Sequence, residues 1–292
     1  MNPMQNTRML DSLLPPEMAV AAEHVGISKA NMGIAKTLIL GILAGAFIAL
    51  GAIFSTVTIS GSTLPYGITN LLSGLTFSLG LILVVVGGAE LFTGNNLLVM
   101  GWASGKISTG LLLNNWIIVY LGNMLGAFSV VLMIWFSGHH MAGDGIVGEQ
   151  MVLVAGAKCQ LSFGQAFFRG ILCNILVCLA IWLCYSARTV QGKILAIIFP
   201  ITAFVSAGFE HSVANMYFIP AGLLVKNWSH QGSLLTDPEI LGSMESLTWN
   251  NFLLGNLLPV TLGNIIGGAL FVGLVYWFLY SSKWTRENKQ AY

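Results

Sequence analysis

The sequence predicts an all-α membrane protein with six transmembrane helices in two inverted three-helix repeats, the second and fifth helices broken. Three observations predict it. The 292 residues are 55% hydrophobic and only 8% charged, against about 25% charged in ordinary soluble domains, and mean hydropathy is +0.80. Six apolar stretches approach or exceed the roughly 20 residues that a bilayer core requires. Two motifs, each built around a glutamate or an asparagine, occur once in each half of the chain. The charge balance of 12 Lys+Arg against 11 Asp+Glu, with no dense basic block, excludes a nucleic-acid partner and a disordered chain. The 34 glycines fit close approach of membrane helices.

Residues 1–35 read as a cytoplasmic segment. Pro15, Pro16, Glu17 and Glu23 interrupt any early apolar run, so no signal peptide is expected there. Pro15-Pro16 opens a short amphipathic helix, whose expected place is the membrane surface or a partner. The body, 36–281, holds the spans 37–56, 68–89, 111–136, 165–185, 194–225 (with an interruption) and 252–280; a cytoplasmic tail, 282–292, follows. An even number of spans puts both termini on one side. Arg8, Lys29, Lys36, Lys106, Arg188, Lys193, Lys283, Arg286 and Lys289 fall on that side, and Lys158, Arg169 and Lys226 on the other. The positive-inside rule then places both termini in the cytoplasm. The two external connections, 138–164 and 226–250, carry Asp144, Glu149, Asp237, Glu239 and Glu245, a mildly unfavourable field for anions. His139, His140 and His230 in these connections read as ordinary surface histidines.

The first repeated motif is Gly-x-Glu-x-x-x-small-Asn, seen in Gly88-Ala89-Glu90-Leu91-Phe92-Thr93-Gly94-Asn95 and in Gly208-Phe209-Glu210-His211-Ser212-Val213-Ala214-Asn215. The second is Leu-Gly-Asn-x-x-Gly, at Leu121-Gly122-Asn123 and at Leu262-Gly263-Asn264. Each half has three spans, and three is odd, so the second half enters from the opposite face. Inverted repeats of this kind hold their sites near the midplane, at discontinuous helices. A glutamate at the centre of a lipid-exposed helix costs about 2.5–3.5 kcal/mol on insertion scales. Glu90 and Glu210 are therefore expected inside the protein, bracing the broken segments with Asn95, Asn215 and Asn264. His211 stands where the first repeat has Leu91, so repeat architecture alone does not require it. A histidine beside a pathway can donate a hydrogen bond to an anion, or a proton to a weak-acid anion.

Cys159, Cys173, Cys178 and Cys184 form no CxxC pair and read as packing residues. Gly41-x3-Gly45, Gly122-x3-Gly126 and Gly263-x3-Gly267 read as helix-packing motifs. There is no Walker loop, dinucleotide fingerprint or HExxH, so no cofactor or metal is expected and transport would be passive or ion-coupled. An intramembrane enzyme using His211 with Ser212 or Ser137 is disfavoured, because adjacent residues make poor triad geometry and no Gly-x-Ser-x-Gly elbow occurs. A water or glycerol channel lacks its paired Asn-Pro-Ala loops.

Three stretches, Gly87-Gly88-Ala89-Glu90-Leu91-Phe92-Thr93-Gly94, residues 170–180, and Gly208-Phe209-Glu210-His211-Ser212-Val213-Ala214-Asn215-Met216, resemble the formate/nitrite transporter family. Residues 77–81 and 259–268 are most similar to its formate channel branch, and the likeness extends from 13–15 through the last span. The resemblance implies an aquaporin-like fold, a homopentamer with one pore per subunit in a bacterial inner membrane, and formate or a similar small anion, with protons, as the transported species. Nitrite or hydrosulfide is the alternative on the same fold. It implies that Thr93 and His211 face each other at the pore centre. Leu81, Phe77 and Phe204 would form a cytoplasmic constriction, and Leu91, Phe92 and Val177 a periplasmic one. Lys158 and Asn174 would draw or hold the anion, and Glu210 would brace the histidine loop. The chain departs from the family pattern at Gly94-Asn95, where small hydroxyl residues are usual, and at Arg169, where an apolar residue is expected.

Overall fold

The computed structural model describes residues 12–229 and 238–281; the expectations for Arg8, His230, Asp237, Lys283, Arg286, Lys289 and the tail 282–292 lie outside the described residues. Helix α1 is Pro15–Ala30, α2 Ile34–Ile59 and α3 Tyr66–Gly87. After a non-helical stretch come a 3₁₀ turn, Gly94–Leu98, and the short α4, Val99–Ala103. Then follow α5 Thr109–Phe136, α6 Ile146–Cys159, α7 Phe163–Ser186, α8 Val190–Ser206, α9 Ser212–Ser229, α10 Pro238–Ser246 and α11 Asn251–Tyr280. Among the described residues, α2, α3, α5, α7 and α11 are long and apolar enough to cross a membrane, and α8 is apolar but shorter. This is a multi-pass membrane protein.

Local signals set the ends of these helices. Ser108 accepts from Leu111 N–H at the start of α5, and Ser162 and Gln165 form a capping box on α7. α3 stops because Gly88 turns into the left-handed region at φ +80°, and Gly208, at φ +69°, turns the chain the same way two residues past α8. The outward faces stay apolar: Leu113, Ile117, Leu121 and Leu125 on α5 are all exposed at helical spacing, as a lipid- or subunit-facing stripe requires.

The helices pack in two matching sets: α2 against α3 and α5, α7 against α8 and α11, with α3 against α8 between them. The crossings use small residues. A Cβ on Gly41 would come within 3.2 Å of Gly122 Cα, and one on Gly170 within 2.8 Å of the Val260 carbonyl oxygen. Larger side chains there would force α2 from α5 and α7 from α11.

Three expectations are corrected. The connection 138–164 is not a loop: it contains α6, whose Val147, Met151, Val152 and Ala155 are buried against α9 and α10. Helix α1 does not lie apart on a membrane surface or a partner. Its Met18, Ala19 and Ala22 pack with Met100 and Trp182 of the same chain, because its small residues leave no apolar stripe broad enough for lipid. His140 is buried, its ring stacked on Trp135 at 4.7 Å between centroids.

Candidate functional site

The stretches 88–93 and 207–211 are built by the same hydrogen bonds. Glu90 N–H donates to the Leu40 carbonyl at 3.1 Å, and Glu210 N–H to the Arg169 carbonyl at 3.3 Å. Asn123, from α5, donates to the carbonyls of Gly41 (2.8 Å) and Glu90 (2.9 Å) and accepts from Phe92 N–H (2.9 Å). Asn264, from α11, donates to Gly170 (2.8 Å) and Glu210 (3.0 Å) and accepts from Ser212 N–H (2.9 Å). One amide side chain in each half thus satisfies backbone groups that the non-helical stretch would leave bare, a requirement at membrane depth.

Both glutamates are buried and both are paired. Glu90 accepts from Asn95 at 2.7 Å and lies 3.2 Å from Lys29 Nζ. Glu210 accepts from Asn215 at 2.6 Å and from Lys158 Nζ at 2.8 Å. Asn115 accepts from Asn95 (3.0 Å) and donates to the Lys29 carbonyl (3.3 Å), and Asn256 accepts from Asn215 (2.7 Å) and donates to the Lys158 carbonyl (3.0 Å). Sequence reasoning missed Lys29, Asn115 and Asn256, although the spacing carried the signal. Lys29 precedes Gly41 by 41 − 29 = 12 positions, and Lys158 precedes Gly170 by 170 − 158 = 12. Asn115 precedes Asn123 by 123 − 115 = 8, and Asn256 precedes Asn264 by 264 − 256 = 8.

His211 and Thr93 come together. His211 Nε2 is 2.9 Å from Thr93 Oγ1, and Ala214 N–H donates to Nδ1 at 3.0 Å. A backbone N–H can only donate, so Nδ1 carries no proton in this arrangement. The ring proton is on Nε2 and donates to Thr93 Oγ1, which leaves the threonine hydrogen for another acceptor. Asn174 donates to the carbonyl of Thr93 (3.3 Å), Asn96 Oδ1 (2.8 Å) and the carbonyl of Asn264 (2.7 Å), while Cys178 Sγ contacts the same Thr93 carbonyl at 3.3 Å. Asn174 is buried and lines neither cavity; it holds the Thr93 stretch.

Two cavities approach this pair from opposite ends. One, about 420 Å³, lies at the α1 end and is lined by Lys29, Val84, Glu90, Leu91, Tyr185 and Lys193. The other, about 150 Å³, lies at the α6 end and is lined by Phe77, Lys158, Phe204, Glu210, His211 and Phe218. Phe77 meets Phe204 edge-on at 5.8 Å, and Phe204 stacks near His211 at 6.0 Å. Leu81, Phe92 and Val177 are buried in the same apolar core.

The expected sides of the constrictions are therefore exchanged. Phe77 and Phe204 line the α6-end cavity and Leu91 the α1-end cavity, so the Phe77 ring is the outer one if the termini are cytoplasmic. The chain direction explains it: α3 starts near the α6 end and runs toward α1, so residue 77 precedes the non-helical stretch on the outer side and residue 91 follows on the inner side.

Residues 16–278 match the Formate/nitrite transporter family. The chain belongs to this family. The formate channel FocA of Escherichia coli (strain K12) is 44% identical over 292 residues, covering 98% of this chain and 99% of that protein. FocA of Haemophilus influenzae is 42% identical, covering 92% of this chain and 95% of that protein. A solved structure described as a pentameric formate channel with formate bound superposes with TM-score 0.76 at 40% identity, over 85% of this chain and 98% of that one. The two FocA relatives are described as formate channels, and a third, from Methanothermobacter thermautotrophicus, 36% identical over 91% of this chain and 96% of that protein, as a probable formate transporter.

Proposed function

We propose that this chain is a passive or proton-coupled channel for formate and similar small monovalent weak-acid anions. It works as a homopentamer in a bacterial cytoplasmic membrane with both termini inside. In this reading the six spans are α2, α3 with α4, α5, α7, α8 with α9, and α11, the second and fifth broken at 88–93 and 207–211. The matching hydrogen bonds of the two stretches support it. So does the contact between Tyr120 and Thr261 at 2.9 Å, because 120 + 141 = 261 and 123 + 141 = 264 make these two residues repeat equivalents. Equivalent residues touch each other only near the axis that relates the halves.

The observation that carries the function is the His211–Thr93 pair, set between apolar walls with a lysine-bearing cavity on each side. Lys158 draws the anion into the outer cavity, although Glu210 tempers its charge. A bare anion entering the apolar stretch faces a Born cost of tens of kcal/mol, and a neutral acid does not. The Thr93 hydroxyl and His211 Nε2–H bind the anion, and protonation there makes it neutral for the crossing. Because Ala214 N–H occupies Nδ1, His211 acts as a hydrogen-bond donor as it stands. It becomes a proton donor once that backbone contact opens and Nδ1 is charged.

The test is flux of formate, nitrite and hydrosulfide into proteoliposomes at acidic and neutral pH, on wild type and His211→Ala. Fast formate flux with a pH dependence that the mutation removes supports the proposal. A preference for nitrite, which the family description also covers, keeps the pore and overturns the substrate. Unchanged flux in His211→Ala overturns the mechanism.

A further inference from the structure

The two halves provide an internal control for every bond that holds the histidine stretch. The contacts of 207–211 to the flanking helices have counterparts in 88–93: Glu210 N–H to Arg169 matches Glu90 N–H to Leu40, and Asn264 matches Asn123 bond for bond. Even the short return after each helix is shared, Ala89 N–H to the Val84 carbonyl at 2.9 Å and Phe209 N–H to the Phe204 carbonyl at 3.0 Å. A side-chain bond to a backbone carbonyl of the histidine stretch breaks the match. Arg169 Nη1 donates to the Gly208 carbonyl at 3.3 Å, whereas the residue equivalent to Arg169 is Leu40, since 40 + 129 = 169 and 41 + 129 = 170. A leucine has nothing to donate to Gly88.

The architecture does not need this bond, because the first half forms without it. It acts on the stretch that carries the pore histidine. Gly208 is the left-handed residue, at φ +69°, where the chain turns away from the end of α8, and its carbonyl precedes His211 by three residues. A cation there also complements the C-terminal end of α8. We propose that Arg169 is a positioning residue for His211: by holding the Gly208 turn it fixes the height of the imidazole against Thr93. Leu91, the apolar equivalent of His211, needs no such placement. The inference rests on the reading of His211 as the anion-binding group of the pore.

Two variants and two readouts test it. Arg169→Leu installs the residue of the other half, and Arg169→Lys keeps a charged donor. Purified protein is compared for pentamer elution, for the nitrogen-15 resonances of its 5 histidines, and for formate flux. The expected result is a normal pentamer in Arg169→Leu with a shifted or broadened His211 resonance. Its maximal flux falls roughly three- to ten-fold, the scale of losing one partly exposed charged hydrogen bond, while the half-saturating concentration stays the same. Arg169→Lys is expected to regain most of both signals. An unchanged His211 resonance in Arg169→Leu overturns the proposal whatever the flux. A loss that Arg169→Lys does not rescue, with dispersal of the pentamer, also overturns it, in favour of a structural role. The resonance reads the ring directly, so a wild type that passes no formate sinks the functional reading, while an unchanged resonance sinks the positioning, and the two failures are told apart.

Discussion

The stretch 88–93 and the stretch 207–211 differ in what they present and agree in how they are held. Both carry a buried glutamate paired to one lysine and to the asparagine five residues on, and both are stitched to the neighbouring helices by one asparagine of a Leu-Gly-Asn motif. Yet His211 stands against Leu91, and Thr93 against Val213, since 93 + 120 = 213. The two polar groups that meet at 2.9 Å are thus the two that the repeat does not supply. The comparison teaches that the shared scaffold and the His211–Thr93 contact are separable: the asparagines and glutamates that hold both stretches are duplicated, and the two residues of that contact are not.

The sharpest break is to make the second stretch look like the first. His211→Leu leaves every scaffold bond except that of Ala214 N–H, which lies in the first turn of α9 where such groups are ordinarily unpaired. The pentamer should survive while pH-dependent formate uptake falls by on the order of 10²-fold, the usual weight of a positioned acid–base group. Proteoliposome uptake measures it. Uptake within a few-fold of wild type would show that the asymmetry between the halves is not the working part.

The scaffold itself should be nearly symmetric, and the paired glutamates test that. Removing one partner of a buried ion pair costs roughly 3–5 kcal/mol. The side chain of Lys158 is 16% exposed and that of Lys29 26%, so Lys29 is better placed to recover water. Glu210→Ala should therefore lower the thermal midpoint of the purified pentamer more than Glu90→Ala, both by several degrees. Equal midpoints would mean that exposure of the lysine does not set the difference.

Asn123→Ala and Asn264→Ala come next. Each strands one non-helical carbonyl and one N–H and removes a second bond to a helix carbonyl, at about 1–3 kcal/mol for each group left bare, so the two midpoints should drop alike. Flux should diverge, because Asn264 anchors the backbone on both sides of His211 through the Glu210 carbonyl and Ser212 N–H, and Asn123 anchors a leucine. A matching flux loss in the surviving pentamers would contradict the separation of scaffold from chemistry.

Much of this was readable in the sequence. The apolar stretches, the recurring glutamate and asparagine motifs, and the pairings Glu90–Asn95 and Glu210–Asn215 follow from residue type and local spacing. What was not readable depends on distant contacts. Lys29 reaches Glu90 over a sequence separation of 90 − 29 = 61, and nothing in the amphipathic look of α1 reports that. Asn174 reads as a ligand residue from its motif, and the three acceptors around its amide nitrogen, from the Thr93 stretch, Asn96 and Asn264, come from distant parts of the chain. α6 was hidden because an apolar helix lying under others has no charged face to mark its period, whereas the side of each constriction was legible in the order of the spans, which starts 68–89 at the external face when the termini are cytoplasmic.

The smallest effect concerns the helices that bring in the two lysines. α1 and α6 are equivalent in the repeat, with 29 + 129 = 158, but they are attached differently. α6 places a fully buried Val152 where α1 has Glu23, since 23 + 129 = 152. Glu23 is buried too, ion-paired to Lys106 and hydrogen-bonded by Ser104 at 2.6 Å. Burial alone would raise its pKa, but the hydrogen bonds from Lys106, Ser104 and Ser281 and the charge of Lys106 outweigh it and hold the carboxyl below its ordinary value. A carboxyl depressed on folding contributes stability that is present above its unfolded pKa and is lost as pH falls through the folded one. The docking of α1 should therefore be constant through neutral pH and weaken below the usual carboxylate range more than that of α6, which has the lysine–glutamate pair common to both helices but no equivalent of Glu23. Hydrogen exchange along the two helices, at neutral and at strongly acidic pH, reads both in one sample. Protection should fall further in α1 than in α6, and Glu23→Gln should remove most of that difference. An equal loss in α6 would show that the buried ion pair is not what distinguishes the two attachments.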